Sequence, residues 1–116
     1  SAIAAANVLT QNARNNISVV RNSGNSTMYV NGNKVGNTYA NSGNITIPRF
    51  LIGCDGFSTG NSPLNGYIDE VRVSNVARYT SDFTPATQPF IDDLNTIFLS
   101  HFDGSNGSQT FVDDNS

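Results

Sequence analysis

Chemistry in this chain would have to be built from few parts. Among 116 residues there is one glutamate, Glu70, one histidine, His101, and one cysteine, Cys54. A Ser-His-Asp or Cys-His arrangement would depend on His101, and no G-x-S-x-G-type turn presents a nucleophile. Glycoside hydrolysis needs two suitably spaced carboxylates, and a lone glutamate cannot furnish a dense acidic strand of the E-x-D-x-x-E kind. His101 shares a strand face with Ile97 and Leu99 and reads as a packed or edge residue. Cys54 directly follows an apolar run and reads as a small packed residue; alone, it forms no internal disulfide. The expectation is a protein without catalysis and without a required cofactor.

Binding is the better fit to the side chains. A sugar site stacks a ring on an aromatic and orients hydroxyls with Asn, Asp or backbone groups. Tryptophan is absent, but Tyr39, Phe57 and Tyr79 lie in or beside loops. The loop CDGFSTGNSPLNG sets Asp55, Asn61 and Asn65 near Phe57, and loops on rigid scaffolds carry function. Asp55, Phe57, Asn61 and Asn65 are therefore the candidate ligand-binding residues.

A second question is raised by NGYIDEVRVSNVARY, residues 65–79. As a strand it puts Tyr67, Asp69, Val71 and Val73 on one face, and Ile68, Glu70, Arg72 and Ser74 on the other. The first face is the more apolar and reads as the core side, which leaves a carboxylate, Asp69, pointing inward. Such a group needs backbone N–H donors, an arginine such as Arg49, or a cation. A structural carboxylate pinning a loop is the expectation. Glu70 and Arg72 read as an exposed outward pair, worth under about 1 kcal/mol. Asp92-Asp93 and Asp113-Asp114 read as solvated turn residues.

The elements that would position these groups are short strands. NISVVRN alternates Ile17 and Val19 against Ser18 and Val20. A polar turn, SGNS, leads into TMYVNGNKVGN, where Asn31-Gly32 is a hairpin signal because both residues accept positive φ. ITIPRFLIG follows as a strand interrupted at Pro48. Ser74 could cap one helical turn through Arg78 or Tyr79, Pro85 and Pro89 then force extended chain, and NTIFLSHFDG closes as a strand buried on both sides. About one residue in seven is asparagine, with Gly, Ser and Thr also plentiful, a composition suited to many tight turns. The formal net charge is −3 and there is no basic run, which argues against nucleic acid as a partner. No segment approaches the roughly 20 apolar residues of a membrane span. An antiparallel β-sandwich is expected.

Several of these segments together resemble a known family. SVVRNSGNSTMYVNGNKVG, followed by NGYIDEVRVSNVARYTSDFTP, resembles the C-terminal half of laminin-G-like, concanavalin-A-like jelly-roll sandwiches, of the kind found in bacteriophage tail fibre and appendage proteins. The 66–79 motif, with Gly66, is the specific part, and the YVNG hairpin supports it. The chain departs from that pattern where ARNNISVVRN replaces a Trp-His-His-like run. TIFLSHFDGSNGSQTFVDD also looks like a domain's opening strand placed after its closing motif, so a permuted or incomplete sandwich is expected.

The resemblance implies a domain over 15–112, with 1–14 an extension or frayed segment and 113–116 a tail or linker start. It implies calcium as an option, with Asp69 and Asp103 as the ligands to test; DGSNG at 103–107 lacks the acidic spacing of a calcium loop. It further implies a virion or extracellular location, in an oligomer or a longer multi-domain chain. The partners would be host-surface glycans or other virion proteins. An accessory carbohydrate-binding module of a secreted bacterial enzyme is a third reading.

Overall fold

The computed structural model describes residues 6–46, 50–54 and 62–115. Among these there are five strands and no helix: β1 (Ile17–Asn22), β2 (Asn25–Val30), β3 (Asn33–Ala40), β4 (Val71–Ser74) and β5 (Thr96–Ser100). The all-β class expected from the sequence is the one observed. The chain divides into two compact units, Ser1–Gly43 with Ser74–Gln88, and Asn44–Val73 with Pro89–Ser116.

The first unit is built on an antiparallel sheet of order β1-β2-β3. Both of its connections are two-residue turns with both central residues at positive φ: Ser23 (50°) and Gly24 (79°), then Asn31 (51°) and Gly32 (83°). These are I′ turns, whose twist matches that of the strands they join. The Asn31-Gly32 hairpin is as expected. Asn31 also ties the turn to the start of β1, accepting the Asn16 N–H at its Oδ1 (2.8 Å) and donating its own N–H to Asn16 O (2.8 Å). Ser26 pairs with Tyr39 but Met28 with Val35, so residues 36–38 bulge opposite the single Thr27.

Val20, Tyr29 and Val30 are buried here, while Ile17 and Val19 are more than half exposed. The buried face of β1 is the one carrying Ser18 and Val20. Apolar alternation marked the two faces but not which was covered.

The second unit holds the two-stranded sheet of β5 with β4, whose last residue, Ser74, falls in the first unit. Leu99 and Ser100 are each 1% exposed, so the end of β5 is buried on both faces, as expected. Residues 44–46 and 50–54 form no strand, and Ile45, Phe50, Leu51 and Ile52 are exposed. That corrects the strand expected over ITIPRFLIG. Alternation supplies two faces but no ladder partner, and a proline at 48 withholds a donor from any ladder. The helical turn expected after Ser74 is also absent. Its hydroxyl instead accepts from Arg78 Nε at 2.6 Å, a side-chain bond that competes with capping.

Candidate functional site

In the first unit, strand alternation puts Val20 and Asn22 of β1 on the same face as Asn25, Thr27 and Tyr29 of β2, since Val20 pairs with Thr27 and Asn22 with Asn25. Together with Ser23, Tyr79 and Thr80 they line an open groove of about 200 Å³. Two of its lining residues are aromatic, Tyr29 and Tyr79. Tyr79 stacks on Phe83 with ring centroids 3.6 Å apart and planes 6° from parallel, and Tyr29 meets the same Phe83 edge-on at 5.6 Å. Phe83 is locked in turn: its N–H donates to Gly32 O at 2.8 Å, and Asp82 Oδ1 accepts the Lys34 N–H at 2.9 Å. The segment 79–83 is thereby clamped to the β2–β3 hairpin, which fixes the plane of Tyr79.

A different centre occurs in the second unit. Glu70 precedes β4 with φ of 55°, a left-handed conformation that breaks strict alternation. Its side chain is 11% exposed, and both carboxylate oxygens accept from His101 Nδ1 at 2.8 and 3.0 Å. Oε2 also accepts the Phe90 N–H at 2.8 Å. The hydrogen bond to Glu70 raises the His101 pKa above 6.5; burial opposes this, and the charges of Glu70, Asp114 and Asp103 reinforce it. Arg72 does not pair with Glu70 as expected; its guanidinium lies 4.3 Å over the Phe90 ring. The inward carboxylate is thus Glu70, and Asp69 is exposed and outside β4. With one residue in the left-handed region, the face assignment shifts by one; Tyr67 is fully exposed.

Asp93, Asp113 and Asp114, expected to be solvated, accept from backbone N–H groups. Asp113 Oδ1 accepts the Leu99 and Asn115 N–H groups, and Asp114 Oδ2 accepts the His101 N–H, each at 3.0 Å. Asp93 Oδ1 accepts from Asn95 N–H and Thr96 Oγ1, closing the turn into β5.

Of the sequence-predicted ligand residues, Asp55, Phe57 and Asn61 lie outside the described residues, as does Arg49. Asn65 and Gly66 are exposed. The mouth of that loop is closed by Leu64 N–H donating to Gly53 O at 2.8 Å. A Cβ at Gly66 would meet only Leu64 Cγ at 3.8 Å, so no close approach demands glycine there. Asp103 is exposed and lines a separate cavity of about 200 Å³ with His101 and Asp114. Among the described residues no group of three or more His, Cys, Asp or Glu side chains is placed to hold a metal ion. Asp69 and Asp103 alone fall short of the six to eight oxygens calcium takes, so the described residues offer it no ready cage.

Sequence reasoning singled out Tyr79 but missed its neighbours. The signal was there: V-x-N before the Ser23-Gly24 turn and N-x-T-x-Y after it put polar and aromatic groups on one face at period two.

The family model described as the concanavalin A-like lectin/glucanases superfamily, of laminin-G type, matches residues 1–83. No significant match was found among curated proteins or solved structures. The match spans β1 to β4, both I′ turns and the Asp82-Phe83 clamp, and this chain belongs to the concanavalin A-like lectin/glucanases superfamily.

Proposed function

We propose that this chain is a non-catalytic adhesion module that holds glycan in the groove of its first unit, in the setting of a phage tail fibre or appendage that contacts the host surface. One observation carries the glycan reading. Tyr79, fixed by its stack on Phe83, lines a groove bordered by the amides of Asn22 and Asn25 and the hydroxyls of Ser23, Thr27 and Thr80. An aromatic wall with amide and hydroxyl groups beside it is what a pyranose asks for: a surface for its C–H face and partners for its hydroxyls. Membership of a superfamily that includes lectins supports it. The virion setting rests on the resemblance of the 66–79 motif. The absence of catalysis in this reading is supported by the sequence, which has one glutamate, one histidine and no G-x-S-x-G-type turn to present a nucleophile.

A glycan-array screen of the purified chain, run with calcium and again with a chelator, tests the reading. Binding to a defined sugar class, lost in Tyr79→Ala, is expected. A blank array from folded protein in both conditions would sink it. A second reading, a structural virion subunit without sugar binding, is favoured by the exposed apolar side chains Tyr67, Ile91 and Leu94, since assembly covers such groups. It predicts a symmetric oligomer by light scattering and no response to sugars.

A further inference from the structure

We infer that the groove is a subsite for a single, electrically neutral sugar ring, and that it discriminates against uronate, sialate and sulfated sugars. This rests on the glycan reading above and narrows it.

Three observations lead there. The first is the chemistry of the lining. Every residue lining the groove is uncharged, and their polar side-chain groups are the Asn22 and Asn25 amides with the hydroxyls of Ser23, Thr27, Tyr29, Tyr79 and Thr80. Amides and hydroxyls both donate and accept, as sugar hydroxyls do. A carboxylate or sulfate on the ligand would instead seek a guanidinium or ammonium, and would lose hydration without a compensating charge.

The second is where the nearest strand cation goes. Arg21 is the one charged residue of β1. Alternation puts it on the sheet face opposite Val20 and Asn22, and its Nη2 donates to Asn41 O at 2.8 Å and Gly43 O at 2.6 Å. It is committed away from the groove. The net charge of −3 adds a weak repulsion toward polyanions.

The third is size. At about 200 Å³ the groove falls below the roughly 300–1,000 Å³ of sites that enclose drug-sized ligands. That is room for one ring stacked at Tyr79, with the next sugar left in solvent. Affinity for one such ring is weak, and adhesion would come from several copies acting together.

The test is a titration of the isotope-labelled chain, followed by NMR, with free glucose, galactose and N-acetylglucosamine, and with glucuronic acid and galactose 6-sulfate as charged counterparts. The expected result is shifts of the Asn22 and Asn25 side-chain amides and of Thr80 with a neutral sugar. The charged counterpart should bind at least several-fold more weakly. The neutral dissociation constant should stay within about twofold between roughly 0.05 and 0.5 M salt, because no charge pair is there to screen. Tyr79→Ala removes a packed ring as well as the platform. Asn25→Ala, at an exposed strand position, is therefore the second variant; it should weaken binding about fivefold, the worth of one hydrogen bond, with an unchanged amide spectrum elsewhere. Tighter, salt-sensitive binding of the charged sugars would overturn the neutral-sugar inference and leave the glycan reading standing. Shifts confined to residues outside the groove would overturn the site. No shifts with any of the five sugars would overturn the glycan reading itself.

Discussion

Glu70 is held at a φ of 55°, which costs a non-glycine residue on the order of 1–3 kcal/mol, and the bonds its carboxylate makes to His101 and the Phe90 amide offset it. The pH dependence follows from His101. Its folded-state pKa lies above the ordinary 6.5, so the pair stabilises the fold fully below that value and the contribution is lost as pH rises through the raised one. An NMR titration should place His101 above 6.5. In Glu70→Gln it should fall back toward 6.5, and the pH dependence of the melting temperature above pH 6.5 should flatten; an unmoved titration would refute the coupling. Gly32 makes the sharpest demand on residue type. A Cβ there would stand 1.8 Å from Phe83 O, at a φ of 83° that side chains resist. Gly32→Ala should cost about 2–4 kcal/mol in chemical denaturation, whereas Gly66→Ala, with open space around it, should cost under about 1 kcal/mol.

The hairpins depend on side chains borrowed from elsewhere in the chain. Asp82 supplies the acceptor for the Lys34 N–H of β3, and Asp113 does the same for the Leu99 N–H of β5. Removing either acceptor should cost about 1–2 kcal/mol and speed exchange of that one amide: Lys34 in Asp82→Ala, Leu99 in Asp113→Ala. Uniform protection in both variants would show that these carboxylates hold nothing. The same bonds explain what could be read beforehand. The Asn31-Gly32 turn was legible because its signal is local and its residues have no better use. β1 and β5 were legible from alternation, and β2 and β3 from the hairpin signal between them. Asp113 and Asp114 were not, because a carboxylate that caps a strand fourteen residues away looks in sequence like any solvated turn residue. Asp69 and Glu70 were exchanged for a related reason: alternation assumes extended backbone at every step, and Glu is not a residue type that announces positive φ. The groove was half legible. Tyr79 was named, but Asn22 was read only as the end of a strand and Asn25 only as part of a turn.

At the scale of the whole molecule, the family match and the folded units do not share a boundary. The match ends at residue 83, whereas the second unit takes Pro89–Ser116 together with Asn44–Val73. Among the described residues β4 has one neighbour, β5. The carboxylate before β4, Glu70, finds its histidine at 101, and its backbone donor is the Phe90 N–H. β5 also supplies Leu99, the largest fully buried side chain among the described residues. A chain cut after Gln88 would keep every residue the family model matches, yet it would leave β4 without a ladder and Glu70 without either partner. Two strands are already the minimum for a sheet, and one strand with an unpaired edge is an invitation to self-association. The truncated chain should therefore lose amide protection across Val71–Val73 and aggregate, while the intact chain remains protected there. Retained protection at those amides in residues 1–88 would mean that β4 draws its stability from something other than β5, and that the C-terminal segment is an appendix to the domain instead of part of its fold.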